Sequence, residues 1–461
     1  MKQRIGVGIL ALTSIILTGI YWKATKAALE EDTSTVIRAD RIYTNSSDDT
    51  DSSLFVYRAY YTRTRHIRLY SINKCLSPNF SLIGKIGKLT IEFWPQPLEG
   101  TCPWRWADEC LYNTYMLEST QKIPKGTKVN KLTLYRKDKK TTIDVHEPVR
   151  KLKKGLTVCV PPLYWYTDWV KLIAFMEWWK LQGTSKFIIY SHSTNREVKQ
   201  VLDHYEDEGI LQIVDWPELP TTTDENPNLS LYRLGHSMAH NDCVQRIGTE
   251  LGALVDIDEM LLLKQKYLVP TAQELFDEFP LLGAVLFPHS ILILEPPLYS
   301  HDFVLDFAKT DFSGILTPTT ANITGPRKTL FRTEAVRRLA THQVSQFEGH
   351  SWFSQKLTPS TAQLLHNRYN YATGQDWHSR PVSMLPPDVN AKDFQGRLIH
   401  TMKTIFPFGA AFNPGTQNAL GVCLGSWREE GCKTPLTSCR DLIEKMEVWV
   451  FTEETDVYRI I

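Results

Sequence analysis

The sequence lacks three patterns that would each assign a function at once. Lys plus Arg (52) nearly equals Asp plus Glu (51), so no excess charge of one sign indicates nucleic acid as a partner. No Walker or Rossmann glycine pattern occurs, so a phosphate group would have to be held by a metal ion or basic residues. No Cys-x-x-Cys pair occurs, which favours disulfides over zinc.

Eight cysteines are present, an even number that is typical of an oxidising compartment. We expect Cys423, Cys432 and Cys439 to staple the C-terminal segment, and Cys102 and Cys110 to close a loop near the start; connectivity cannot be read from spacing. Four sequons agree with passage through the glycosylation machinery. They begin at Asn45, Asn79, Asn228 and Asn322.

Long apolar runs are also scarce, and the clearest is Ile5 to Trp22, 18 residues without a charge. As a helix it would span roughly 27 Å, enough for a thin bilayer. A cleaved signal peptide is the alternative, but Lys23 and Lys26 lie where cleavage would occur. We therefore predict a single-pass type II anchor over 1–22, a flexible stem over 23–52, and a luminal body.

The body divides by its hydrophobic pattern. Short alternating runs predict a β-rich N-terminal unit over 53–150. From 151 to 420 strands and helices alternate, which predicts an α/β domain with a mostly parallel sheet and helices on both faces. A Cys-containing segment follows over 421–461. The clearest predicted elements are strand Leu156–Val160, helix Asp168–Leu181, strand Lys186–Tyr190, helix Glu197–Glu208 and strand Ile210–Val214.

Asp256 and Asp258 follow an apolar run, after a predicted helical segment over Leu229–Leu251. If the strand continues through them, both side chains project from one face, and Glu259 from the other. Two hard oxygen ligands suit Mg²⁺ or Mn²⁺, although a strand that simply ends in solvated acids would look the same. Open α/β sheets place ligands at the carboxyl ends of strands. The pattern thus favours a luminal, metal-dependent transferase that uses a nucleotide sugar.

Several segments, in order, resemble glycosyltransferase family 92. Those segments are Phe55-Val56-Tyr57-Arg58-Ala59-Tyr60-Tyr61, Val158-Cys159-Val160-Pro161-Pro162-Leu163-Tyr164-Trp165, His240-Asn241-Asp242-Cys243, Asp256-Ile257-Asp258-Glu259 and Arg327 to Val336 with His342. The resemblance implies a GT-A-like fold and a Golgi enzyme. It also implies inverting transfer of galactose from UDP-galactose to a glycan acceptor, that is, a hexosyltransferase.

Roles can then be assigned to particular residues. We predict Asp258 and Asp256 as metal ligands, with Asp256 also near the ribose, and His366 or else His342 completing the metal shell. Lys328 and Arg332 are candidates for the diphosphate. Asn241 and Asp242 contact the nucleotide or merely cap a helix.

Inversion also needs a carboxylate base to accept the proton of the acceptor hydroxyl. The candidates are Asp302, Asp306, Asp311 and Glu348, of which we take Asp311 and Glu348 forward. Two other functions remain open: a metal-dependent phosphoester hydrolase, and a catalytically inactive membrane-anchored ectodomain with a binding role. Departures from the family pattern at Gly325 to Lys328 and at His366 to Tyr369 motivate the second.

Overall fold

The fold is given by a computed structural model. It describes residues 52–75, 81–100, 110–264, 266–294, 307, 319–321, 325–369, 380–381, 388–413, 415–416, 419–420, 423, 432, 439–452 and 457–461. The expected anchor, and the expected stem up to residue 51, lie outside these residues. No helix within them is long and apolar enough to cross a membrane.

The β-rich unit is a closed barrel. Its strands are β1 Phe55–Tyr61, β2 Ile67–Lys74, β3 Ile83–Ile86, β4 Leu89–Pro97, β5 Tyr112–Ser119, β6 Lys131–Arg136 and β7 Lys139–His146. They pair in the order β2-β5-β4-β3-β6-β7-β1, and β1 closes the ring by pairing with β2. Alternate residues, such as Leu132 and Leu134 on β6, fill the interior, and closure leaves these strands no open edge.

Seventeen further strands are described. They are β8 Lys153–Leu163, β9 Lys186–Ser191, β10 Ser193–Asn195, β11 Leu211–Asp215, β12 Thr249–Leu254, β13 Glu259–Leu263, β14 Leu282–Phe287, β15 His289–Leu294, β16 Thr319–Ala321, β17 Lys328–Arg332, β18 Val336–Ala340, β19 Gln343–Phe347, β20 Phe353–Lys356, β21 Ala362–Tyr369, β22 Arg380–Pro381, β23 Trp449–Phe451 and β24 Arg459–Ile460. The described α-helices are α1 Trp169–Leu181, α2 Arg196–Asp207, α3 His236–Arg246, α4 Leu268–Glu278, α5 Ala391–Ile405 and α6 Arg440–Ile443.

The central sheet has the order β11-β9-β8-β12-β17-β14-β20. Strands β11, β9, β8 and β12 are parallel, as expected, whereas β17 runs antiparallel to both β12 and β14. In chain order the parallel strands read third, second, first, fourth. The order therefore reverses between β8 and β12, which is where open α/β sheets bind ligands.

The two faces of the central sheet bury different partners because side chains alternate along each strand. On β8, Leu156, Val158 and Val160 join a core with α1, α2, α4 and α5. Cys159 points to the other face, where it joins a core that contains α3 and residues of the barrel. Helices thus cover both faces, and the barrel shares one of them.

The segment expected to be helical from Leu229 to Leu251 is shorter than predicted. Gly235, at φ +80°, starts α3, and the helix ends at Arg246. Residues from Thr249 onward belong to β12 because they extend the ladder with β8, where Leu251 pairs with Leu156. Pairing with a distant strand outweighed the local helical pattern.

Three disulfides join described cysteines, one within the C-terminal segment and two between regions far apart in the chain. Cys423 pairs with Cys439 inside the C-terminal segment, as expected. Cys110 pairs with Cys432, so the expected loop between Cys102 and Cys110 is wrong. A third bond, Cys159–Cys243, ties β8 to α3 beside the point where the strand order reverses. The C-terminal segment also adds strands: β23 pairs with β10, and β24 pairs with β1.

Candidate active site at the strand-order reversal

Asp256 and Asp258 lie in a tight turn, not in a strand. β12 ends at Leu254, and the Glu259 amide donates to the Asp256 carbonyl at 3.0 Å, which closes the turn before β13. The expectation that Asp256 and Asp258 share one strand face is therefore wrong. The turn follows the carboxyl end of β12, next to β8, so both aspartates stand at the reversal of strand order.

Lys328 neutralises part of this turn. Its ammonium lies 3.1 Å from Asp256 Oδ2 and 3.0 Å from Glu259 Oε2, and its side chain is only 1% exposed. The antiparallel pairing of β17 with β12, which sets Thr329 opposite Leu254, brings the lysine here. Although burial opposes the charge, both carboxylates favour it and raise the Lys328 pKa, and Lys328 in turn lowers the pKa of Asp256.

Glu259 belongs to the same cluster. Its Oε2 also accepts the Asp256 amide at 2.8 Å, so this side chain locks the turn through two contacts. Burial raises the Glu259 pKa to about 7, against the lowering effect of Lys328. The opposite orientation considered for Glu259 depended on a continued strand and does not occur.

Asp258 is held by a histidine pair. His366 Nε2 lies 3.2 Å from Asp258 Oδ2, and His366 Nδ1 lies 3.1 Å from His289 Nε2. The β13–β21 ladder sets His366 opposite Glu259, and β15 carries His289 alongside β21. Burial would raise the Asp258 pKa, but the hydrogen bond and the charge of His366, together with the charge of Lys171, outweigh burial and lower the pKa. The sequence prediction of His366 beside Asp258 thus matches the geometry.

Gly325, the first residue of the segment Gly325 to Lys328, packs against His289. A Cβ atom at this position would lie 2.7 Å from the ring of His289. Only glycine leaves the His289 ring its place beside His366.

Three more histidines approach the cluster. Asp256 and Lys328 both act on the pKa values of His236, His240 and His342, which burial lowers, to about 4 for His236 and His342. These rings are neutral at neutral pH. His240 is 2% exposed, and neither of its ring nitrogens has a hydrogen-bond partner among the described residues. The sequence assigned no role to His236 or to His240, although His240 begins one of the family segments and the i, i+4 spacing places both on one face of α3.

Asn241 and Asp242 hold the frame around the site. Asn241 Nδ2 donates to the Leu339 carbonyl at 2.8 Å and its Oδ1 accepts the Leu339 amide at 2.9 Å, which fixes β18 to α3. Asp242 is fully buried and accepts from Tyr60, Tyr190 and Arg246. Both side chains are buried and their polar atoms are bonded within the protein, so the structure shows them in a structural role. Their contact with a nucleotide stays a prediction.

Arg332 and Glu348 lie elsewhere. Arg332 occupies the opposite end of β17 from Lys328, roughly 13 Å along the strand, and its Nη2 donates to the Phe276 carbonyl at 2.6 Å. The Glu348 amide donates to the Ala335 carbonyl beyond that far end, and its carboxylate pairs with Arg68. The structure therefore does not bring either residue to the aspartate turn. Asp302, Asp306 and Asp311 lie outside the described residues.

The turn suits a divalent cation in its donor chemistry. Lys328 and His366 engage Oδ2 of Asp256 and Asp258, and no described residue bonds the Oδ1 atoms. The two side chains are 39% and 21% exposed. Among the described residues, no three His, Cys, Asp or Glu side chains converge as a ready metal cage. Mg²⁺ and Mn²⁺ commonly bind one or two carboxylates and take water and phosphate oxygens for the rest, so the residues present fit that kind of site.

The sequence model of glycosyltransferase family 92 matches residues 154–402, more than half of the chain. No curated protein matches. Among solved structures, S. aureus TarS 1–349 is similar at 10% identity and a TM-score of 0.26, over 64% of this chain and 75% of that one. The same protein in complex with UDP-GlcNAc gives 12% identity and a TM-score of 0.25, over 63% and 76%. Likeness at these TM-scores fixes neither the fold nor the activity of this chain.

Proposed function

The chain belongs to glycosyltransferase family 92 and is a glycosyltransferase, and from that premise we propose that it transfers galactose with inversion from UDP-galactose to a glycan acceptor. The proposal includes a GT-A-like catalytic domain, dependence on Mn²⁺ or Mg²⁺, and an anchored enzyme of the Golgi lumen. The galactose donor, the metal dependence and the location are supported by the aspartate turn and the sequence pattern together.

The observation that carries this proposal is the aspartate turn at the strand-order reversal. Asp256 and Asp258 each keep a carboxylate oxygen that no described residue bonds, while their other oxygens are held by Lys328 and His366. The acids are therefore oriented in advance toward a ligand, and they carry more negative charge than Lys328 offsets. An anionic diphosphate would enter such a site together with a cation.

Asp256 and Asp258 would hold that divalent cation, which when bound would offset the charge that develops on the departing UDP. Lys328 is enclosed by Asp256 and Glu259, so it acts on the donor through the acid it orients. Glu259 fixes the shape of the turn, and His366, backed by His289, fixes the direction of the Asp258 carboxylate. These contacts pre-organise the site.

Transfer forms a bond between the acceptor oxygen and the anomeric carbon and breaks the bond from that carbon to UDP. The acceptor proton passes to a carboxylate base. Of the two candidates, Glu348 is not proposed as the base because it lies beyond the far end of β17. Asp311 remains the proposed base.

Compartment chemistry supports the proposed location. Three disulfides between described cysteines need an oxidising environment such as the secretory pathway. The apolar run from Ile5 to Trp22 supplies the proposed anchor, which would leave the enzyme domain in the lumen.

The test is UDP release from UDP-galactose by the full-length protein with a mixed glycan acceptor, with Mn²⁺ or with EDTA. We expect activity only with the metal, and a loss of at least about 100-fold in Asp258→Ala. Asp203→Ala is the matched control because this half-exposed aspartate lies on α2 and pairs with Lys199. Activity that survives both EDTA and Asp258→Ala would refute the metal role, and release of UDP without sugar transfer would favour a hydrolase.

A further inference from the structure

A cavity of about 380 Å³ lies between the barrel and the β18–β19 hairpin. Its lining includes Trp94, Gln96, Glu118, Lys122, Arg337 and Glu348. The volume falls in the range of small-molecule sites, which is roughly 300–1,000 Å³. This cavity is separate from the aspartate turn, since Glu348 lies beyond the end of β17 opposite Lys328.

The floor of the cavity is a row of side chains across three barrel strands. The ladders set Arg68 of β2 opposite Glu118 of β5, and Glu118 opposite Trp94 of β4. Directly opposed residues share a face of the sheet, and so does Gln96, two positions after Trp94. Arg68 and Glu118 are buried, whereas Trp94 is 64% exposed. A rigid ionic base thus supports an indole ring that faces outward.

Four charged side chains at this cavity are already paired with one another. Arg68 Nη2 lies 2.5 Å from Glu118 Oε1 and 2.9 Å from Glu348 Oε1, and Arg337 pairs with the other Glu118 oxygen. Beside these two acids and two arginines, the exposed Lys122 adds one positive charge to the lining. One such charge is too little to make a phosphate or a strongly charged peptide the natural ligand. The ligand chemistry that remains is neutral and polar.

Hydrogen-bonding groups are nevertheless left over. Gln96 and Glu348 both line the cavity and carry polar side-chain atoms that the described side chains leave unbonded. Glu348 uses Oε1 on Arg68, and neither its Oε2 nor the Gln96 amide has a bonded partner among the described side chains. Donors and acceptors therefore stand beside one exposed aromatic ring.

We propose that this cavity binds a neutral sugar ring. The apolar face of the ring packs on Trp94, the Gln96 amide donates to one of its hydroxyl oxygens, and Glu348 accepts from a hydroxyl. The site is a non-catalytic anchor for a glycan and requires neither the donor nor a metal ion. It goes beyond the proposed transfer and gives Glu348 a role in binding instead of proton transfer.

The experiment measures binding of neutral sugars to the full-length protein by saturation-transfer NMR and calorimetry. The probes are galactose, N-acetylglucosamine, mannose and their disaccharides, in EDTA and without UDP-galactose. We expect binding by the wild type, roughly tenfold weaker binding by Trp94→Ala, and substantial recovery in Trp94→Phe. Phe408→Ala, which removes a 96% exposed aromatic ring outside the cavity lining, should bind like the wild type.

The Asp258→Ala variant separates this proposal from the proposed transfer. It should bind sugar normally even though it does not transfer, whereas a wild type that transfers galactose but binds no sugar under these conditions would overturn only the anchor site. Equal binding by Trp94→Ala and Phe408→Ala would also overturn it. Preference for a sulfated glycan or a peptide over every neutral sugar would identify a different ligand class and refute the assignment.

Discussion

Asp242 and Asp256 are both partly or wholly enclosed aspartates that the sequence marks as site residues, yet they do different work. Both oxygens of Asp242 are bonded, by Tyr60 on one side and by Tyr190 and Arg246 on the other, and the side chain is fully buried. Asp256 gives one oxygen to Lys328 and is 39% exposed. The buried acid Asp242 has both oxygens bonded, whereas Asp256, the proposed metal ligand, keeps one available.

The largest effect should come from Asp256→Asn, which tests the proposed metal ligand of the two aspartates. Turnover should fall by at least about 100-fold because the amide cannot supply an anionic metal ligand. The melting temperature should change by only about 2 °C, since Glu259 still faces Lys328. Initial rates of UDP release and a thermal melt measure both quantities. A variant that is active but unstable would reverse the assignment of the two aspartates.

Asp242→Asn tests the structural member. Its amide leaves the buried charge of Arg246 uncompensated, and the pKa of Asp242 is lowered despite burial because Arg246 and Arg58 favour the carboxylate. We expect a loss of about 3–5 kcal/mol in the free energy of unfolding. Denaturant titration measures it, with Asp203→Asn on the surface of α2 as the control. If Asp242→Asn proves as stable as Asp203→Asn, Asp242 does not stabilise the packing of α3.

The smallest effect concerns Glu259, the acid that shares Lys328 with Asp256. Its pKa is raised to about 7 in the folded protein from an ordinary value near 4.5, so the folded state binds the extra proton between these pH values. The Glu259 contribution to stability is therefore present at low pH and lost as pH rises toward 7.

Glu259→Gln should remove that dependence. Melting temperatures of wild type and variant are measured from pH 4.5 to 8. Relative to the variant, the melting temperature of the wild type should fall by a few degrees as the pH rises. His236 and His342, whose pKa values are lowered to about 4, act in the opposite direction between pH 4 and 6.5, but they are present in both proteins and cancel. A constant difference across the range would contradict the raised pKa.

The local patterns predicted much of the α/β part. Strand Leu156–Val160 lies within β8, and the predicted helices over 168–181 and 197–208 differ by about one residue at either end from α1 and α2. These elements depend on hydrophobic periodicity and caps such as Asp168, whose carboxylate accepts the Lys171 amide. Proximity of His366 to Asp258 followed from the family pattern.

Long-range pairing produced the errors. β17 runs antiparallel to β12, and this placement alone sets Lys328 between Asp256 and Glu259 and carries Arg332 to the far end. The bonding partners of Asn241 and Asp242 come from distant elements, namely Leu339, Tyr60 and Tyr190. Because the sequence does not show these partners, both residues look available for a ligand. Cys110 finds Cys432 across 322 positions, a pairing that spacing does not encode.

The pairing of β24 with β1 imposes an order on biosynthesis. Phe55 and Ile460 face each other in this ladder although nearly the whole enzyme lies between them in the chain. At about 5–20 residues per second, the ribosome needs roughly 20–80 s to deliver the second strand after the first. During that interval one side of β1 near Phe55 waits without its partner, and the Cys110 thiol waits for Cys432. The barrel therefore emerges from the ribosome before the α/β part of the chain but is among the last parts to be completed.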